Sequence, residues 1–343
     1  MKSTVNPKLF KHLEATSRSF YLGITRLEEP LKSQICLGYL LCRVWDSFED
    51  ATSVDAQFRI NCLRDFYLLF KKIINTNSVE SRNQWLRDYL ELKGSWNLES
   101  SWTEFQEFHP RDYALLLESE ILLSEISKLG HREKTIFVER LTPMAEGMVK
   151  EISKRQLVEN KTPREKSEFL EYCYWVAGTV GEFLTDLFDL NEVFVKETSK
   201  DELLLWGRSF GTVLQTVNIS KDFFADWAEG RCFWLGMNFP QGMKSTPPES
   251  RLVLEGFRKL VEVYDSELPN AQKYIKAIKP EFRAIRFFCR FPLEMAQLTI
   301  AEGSRSTEWI NKKESFKVNK HDVLQLMGKL AALMGICFSF NGL

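Results

Sequence analysis

Pro30-Leu31-Lys32-Ser33-Gln34-Ile35-Cys36-Leu37-Gly38-Tyr39-Leu40-Leu41-Cys42-Arg43-Val44-Trp45-Asp46-Ser47-Phe48-Glu49-Asp50 reads as one helix with apolar side chains on every side of its axis. Ile35, Leu37, Tyr39, Leu40, Leu41, Val44, Trp45 and Phe48 surround that axis, which predicts a central helix rather than a surface one. Pro30 suits a first turn, where a missing N–H costs nothing. Tyr39, Arg43, Asp46 and Asp50 then step by four, three and four, so they share one face, with Glu49 close beside it. Like charges at that spacing repel, and carboxylates near apolar surface are costly to desolvate. A bound cation relieves both penalties. An acidic run closing a solvated helix end is the plainer reading of Asp46–Asp50 taken alone.

Further along, Asn218-Ile219-Ser220-Lys221-Asp222-Phe223-Phe224-Ala225-Asp226 repeats the pattern. Asn218, Asp222 and Asp226 form a second stripe among Val213, Leu214, Val217, Phe223 and Phe224. Hard oxygen ligands suit Mg²⁺, with Mn²⁺ as a substitute, and Mg²⁺ is commonly completed by substrate phosphates. Arg43 could hold phosphate oxygens directly, and Lys221 and Arg231 flank the second stripe. Two such faces suggest a diphosphate clamped between them. Gly230 stands where the second helix should stop.

The rest of the chain sets the frame. Its 343 residues are 44% hydrophobic and 27% charged, enough for a sizeable core. A net charge of -1 gives no bulk electrostatic case for nucleic acid. The seven Cys are scattered without a C-x-x-C pair, which reads as buried thiols in a reducing compartment. Met1–Phe10 has no apolar leader, so no secretory signal is expected. Val323 to Phe340 includes Gln325 and Lys329, which points to a docked helix rather than a membrane span. The four His are dispersed, zinc spacing is missing, and no G-x-G-x-x-G follows a strand. Gly178-Thr179-Val180-Gly181 reads as close helix packing, and Asn218-Ile219-Ser220 as a chance glycosylation match. Further helices are predicted at Val54–Ile74, Val79–Leu92, Arg111–Leu129, Glu133–Lys154, Pro163–Leu190 and Lys200–Ala228. Others follow at Pro248–Val263, Asn270–Ile278, Glu281–Glu302 and His321–Ile336. Thr162-Pro163-Arg164-Glu165 looks like a capping box, and Lys93–Ser101 and Asn238–Thr246 read as connections. Residues 1–343 are therefore expected to form one all-α domain. The 26 Phe and 9 Trp would also suit an apolar, aromatic-walled cavity for a prenyl chain.

Five segments in order resemble the squalene/phytoene synthase family over most of the chain. Ser17-Arg18-Ser19-Phe20 is similar to its N-terminal substrate motif, and Asp46-Ser47-Phe48-Glu49-Asp50 to its D-x-x-E-D motif. Tyr172-Cys173-Tyr174-Trp175-Val176-Ala177-Gly178-Thr179-Val180-Gly181 resembles Y-C-x-x-V-A-G-x-V-G. Leu214-Gln215-Thr216-Val217-Asn218 through Asp226 resembles the second aspartate-rich motif. Gly230-Arg231-Cys232-Phe233-Trp234 resembles the G-R-x-F-W that follows it in squalene-forming members.

The resemblance implies an isoprenoid-synthase-type helical bundle with the two acidic motifs facing each other across a central cavity. It also implies head-to-head joining of two farnesyl diphosphates through presqualene diphosphate to squalene, using Mg²⁺ and NADPH. Alternatives are a phytoene- or dehydrosqualene-type synthase needing no NADPH, a presqualene diphosphate synthase, or a non-catalytic paralogue subunit. By position, Asp46, Glu49, Asp50, Asp222 and Asp226 would bind metal, with Asn218 and Gln215 in support. Tyr172 would help remove the cyclopropane-forming proton; its plainer reading is a packed aromatic. Arg18, Arg43, Lys221 and Arg231 would contact diphosphate or cofactor phosphates. Ser17, Ser19, Phe20 and Tyr39 would line the substrate. Phe288, or Phe287 if the register slips by one, would shelter the late cation. Lys317-Val318-Asn319-Lys320 resembles the basic reductase half-site. Two departures stand out: Ala225 replaces a customary acid, and Asn319 a customary Arg. No C-terminal anchor is expected, which places the enzyme in the cytoplasm with peripheral contact at the inner face of the membrane.

Overall fold

The computed structural model describes residues 5–74, 79–157, 164–229, 231–237 and 248–335, without the side chains of 18, 19, 79–83, 156, 157, 331, 333 and 334. The described residues are helical, with two isolated β-bridges and no named strand. The chain divides into two compact units, residues 1–157 and 158–343.

The first unit is built around Leu31–Asp50. Pro7–Thr16, Pro110–Leu117, Ser119–Ser127, Ala56–Ile74 and His131–Leu157 all pack on it. From Ser33 to Asp50 every residue is buried except Tyr39, Arg43, Asp46 and Asp50. The expectation of a central helix thus holds on every face but the polar stripe. Trp45 meets Phe70 edge-on at 5.7 Å, and Phe48 meets Trp96 at 5.2 Å and Trp102 at 5.7 Å. Each such ring contributes about 1.5–3 kcal/mol through burial. The helix stops because Ala51 leaves helical geometry (φ -72°, ψ 60°) and Arg59 takes the Glu49 carbonyl at 2.6 Å. Arg59 also donates to the Val54 carbonyl at 3.1 Å.

In the second unit, Lys200–Lys221 lies between Thr179–Leu190, Ser250–Ala277 and Arg283–Arg305. Its contact with Thr179–Leu190 is backbone on backbone: a Cβ on Gly181 would sit 1.9 Å from the Gly207 carbonyl oxygen. One on Gly211 would sit 2.2 Å from the Ala177 oxygen. The Gly178–Gly181 motif is therefore packing, as its small residues suggest.

Several boundaries differ from expectation. Arg111–Leu129 is two helices, Pro110–Leu117 and Ser119–Ser127, hinged where Glu118 is non-helical (φ -106°, ψ 18°). Pro163–Leu190 is Lys166–Cys173, a π-helical turn Tyr174–Gly178, and Thr179–Leu190. The capping box there is Glu165 with Glu168, while Thr162 and Pro163 lie outside the described residues. Ser250–Ala277 runs unbroken through Pro269 because Leu260, Val263, Tyr264, Ala271 and Tyr274 keep one buried face in register. The supposed connection Lys93–Ser101 holds the end of Val79–Ser95 and a short Leu98–Ser101 helix. Gly230 and Asn238–Thr246 fall at or within undescribed residues. No described helix is long and apolar enough to cross a membrane.

Candidate active site

The first unit brings the N-terminal motif against the polar stripe. Ser17 is buried and ends one helix and precedes the next, Arg18–Ile24. Arg18 and Ser19 occupy that helix's first turn. Phe20 lies 6.0 Å from the Tyr39 ring, and the Tyr39 hydroxyl donates to the Thr16 carbonyl at 3.2 Å. Burial raises the Tyr39 pKa. One turn on, Arg43 is gripped by a residue that no motif identified. Its Nε and Nη2 each donate to Asp112 at 2.7 Å, a two-pronged, charge-assisted contact. Nη1 reaches Asp46 at 3.5 Å. Burial opposes the Arg43 cation, but Asp112 and Asp46 more than offset it and raise its pKa. Arg43 is thus held in place beside Asp46.

Asp46 is half-buried beside two further acids. Burial first, then Asp50 and Glu49, push its carboxyl up to about 8 against the opposing pull of Arg43. A divalent cation there would favour the charged form again, so the donor chemistry of Asp46 and Asp50 fits a hard metal ion. Glu49 differs from its neighbours. It is buried, and its Oε1 accepts from Arg155 Nη2 at 2.9 Å, while Arg155 Nε donates to the buried Glu151 at 3.2 Å. Among the described residues no three His, Cys, Asp or Glu side chains form a ready-made metal cage.

In the second unit the expected helix Lys200–Ala228 breaks at Asp222 (φ -94°, ψ 8°) into Lys200–Lys221 and Phe223–Ala228. The stripe survives the break. Asp222 N donates to the Asn218 carbonyl at 3.0 Å, and Asp226 N to the Asp222 carbonyl at 2.9 Å. Gln215, Asn218, Asp222, Ala225 and Asp226 all stay partly or fully exposed, while Thr216, Val217, Ile219, Ser220, Phe223 and Trp227 are buried. Lys221 pairs with Asp222. Arg231 pairs with Asp226 at 2.9 Å and Glu229 at 2.7 Å. Tyr172 is buried and stacks on Phe233 with centroids 4.8 Å apart and planes at 20°. The π-helical turn begins two residues on, at Tyr174, a local irregularity frequent at functional sites.

The remaining predicted residues of this unit lie in two other places. Phe288 is buried edge-on to Phe188 at 6.5 Å, and Phe287 stacks on Phe291 at 5.7 Å. Lys317 is exposed in the segment between Glu308–Lys312 and Lys320–Met334. Asn319 bonds within its own turn. Its Oδ1 accepts from Asp322 N at 2.8 Å and its Nδ2 donates to Asp322 Oδ2 at 2.7 Å. It caps the last helix, so the amide is already engaged.

Residues 13–321 match the family model described as squalene/phytoene synthase. A squalene synthase of Bos taurus is 25% identical over 297 residues, covering 85% of this chain and 62% of that protein. One of Gibberella zeae is 26% identical over 341 residues, covering 95% of this chain and 64% of that protein. The chain therefore spans just under two thirds of the length of these relatives. A solved structure of TcSQS with the ligand E5700 superposes with a TM-score of 0.72 at 20% identity, covering 96% of this chain and 88% of that one. The two share an all-α fold.

Proposed function

The chain belongs to the squalene/phytoene synthase family, and from that premise we propose that it joins two farnesyl diphosphates head to head, through presqualene diphosphate, to squalene. One observation carries the reading. Along Ser33–Asp50 only Tyr39, Arg43, Asp46 and Asp50 escape burial, so the helix presents chemistry on one stripe and packing everywhere else.

Asp46 and Asp50 in one unit, and Asp222 and Asp226 in the other, are the residues that would hold Mg²⁺ or Mn²⁺. When bound, the metal supplies Lewis-acid pull on the leaving diphosphate. Asp112 keeps Arg43 rigid, and Arg43 keeps Asp46 aimed. Glu49, anchored on Arg155, fixes the end of the same helix. Asn218 and Gln215 extend the second stripe, and Arg18, Lys221 and Arg231 supply positive charge for diphosphate. Ser17, Ser19, Phe20 and Tyr39 flank the substrate at the first stripe. Tyr172, buried and held flat on Phe233, positions its hydroxyl for the proton lost as the cyclopropane closes. Phe288 offers an aromatic edge to the late cation. NADPH, when bound, would supply the final hydride, and exposed Lys317 would meet one of its phosphates. The oily product implies peripheral contact with a membrane surface.

Incubation with farnesyl diphosphate, Mg²⁺ and NADPH should yield squalene by product mass. Presqualene diphosphate or dehydrosqualene accumulating in the presence of NADPH would reject the reading. The second reading is a dehydrosqualene- or phytoene-type synthase. Asn319 favours it, because its amide is engaged in a helix cap instead of offering an Arg to the cofactor. Its signature is one product regardless of NADPH.

A further inference from the structure

Arg164 belongs to none of the five motifs, yet its guanidinium carbon lies 5.3 Å from the centroid of Tyr172 and 5.8 Å from that of Phe233. Its backbone is pinned: Gly236 N donates to the Arg164 carbonyl at 3.1 Å, within a bridge to Leu235. The two rings it touches are stacked on each other. Arg231 adds a second cation, 5.9 Å from the Phe233 ring, and Arg231 is itself ion-paired to Asp226. A continuous run of contacts therefore leads from Asp226, a proposed metal ligand, through Arg231 and Phe233 to Tyr172, and Arg164 closes its other end. A guanidinium is drawn to aromatic faces, and its planar shape fixes ring orientation better than an ammonium does.

We propose that Arg164 is a positioning residue for Tyr172. Its guanidinium holds the Tyr172–Phe233 pair in one orientation and so aims the phenol hydroxyl at the reacting centre. The inference rests on the reading of Tyr172 as the residue that handles the cyclopropane-forming proton.

The test is a double-mutant cycle on the full chain with farnesyl diphosphate, Mg²⁺ and NADPH. Arg164→Met should lower kcat by about fivefold and leave KM within about twofold, because orientation and not binding is lost. Arg164→Lys, which keeps the charge but loses the planar fork, should recover only part of that loss. In a Tyr172→Phe background Arg164→Met should cost less than about twofold, since the group it aims is gone. An equal loss in both backgrounds would overturn the inference, as would Arg164→Met with unchanged kcat or Arg164→Lys no better than Met. If Tyr172→Phe loses activity while Arg164→Met does not, only the inference falls. A fully active Tyr172→Phe removes the reading of Tyr172 and the inference with it. Should Arg164→Met fail to fold, the Arg164→Lys and Arg164→Gln pair gives the same comparison of charge kept against charge lost.

Discussion

Asp112 takes both prongs of Arg43 while Arg43 leans on Asp46, so the first acidic stripe depends on a residue sixty-nine positions away. Asp112→Asn leaves a largely buried guanidinium short of a counter-charge. It should cost about 3 kcal/mol in chemical denaturation, of the size seen when a buried ion pair loses one partner. It should also lower turnover without abolishing it. Asp46→Asn and Asp222→Asn remove the donors themselves and should each reduce product formation by at least about a hundredfold. If either retained full rate and full Mg²⁺ affinity in titration, that stripe would not be the metal wall. The thiols make a separate residue-scale case. Burial pushes Cys36 and Cys62 up to about 12 and raises Cys42, Cys173 and Cys289 as well. Cys232 is only half-buried. Peptide mapping after brief alkylation at about pH 8 should find Cys232 modified well before those five. Equal labelling would contradict their burial.

Single helices could be read from the sequence where packing follows period, and misread where tertiary contacts override a local rule. Leu31–Asp50 was legible because apolar residues ring its axis and four polar ones break the ring at helical spacing. The break expected between Val263 and Asn270 is absent, because the buried face of Ser250–Ala277 is continuous and outweighs the one hydrogen bond lost at Pro269. Asp222 hid a break inside a good helical pattern, because the two backbone bonds that bracket it keep the period intact. The glycine contacts were legible in kind but not in partner. Gly181→Ala should separate two helices whose backbones touch and cost about 2–3 kcal/mol in thermal or denaturant unfolding. A neutral effect would mean that the pair can slide apart freely. At the other end of the unit, Asn319→Ala should cost about 1 kcal/mol by loss of the cap.

For the whole molecule, the all-α class and the two acidic stripes were visible because both follow from short-range spacing. Asp112 with Arg43, Arg155 with Glu49, and Arg164 with Tyr172 and Phe233 were not. Each joins residues whose pairing only the fold creates, and an Arg or Asp on a helix carries no mark of its distant partner. Two of these pairings tie the helix that carries Asp46 and Asp50 to surrounding helices, so the ion should be needed for turnover without being needed for the fold. Chelation by EDTA should abolish product formation, leave the far-UV circular dichroism unchanged, and be reversed by Mg²⁺ or Mn²⁺. Collapse of the helical signal on chelation would instead make the metal structural.

Between Ser33 and Asp50 the helix has no idle positions, since fourteen residues are enclosed by neighbours and the other four carry the polar stripe. An ordinary amphipathic helix keeps a solvent face on which substitutions drift at little cost. This one has none, so every step away from its sequence meets either a packing constraint or a chemical one. New substrate scope is therefore more accessible through side chains on the surrounding helices than through the helix that bears the carboxylates.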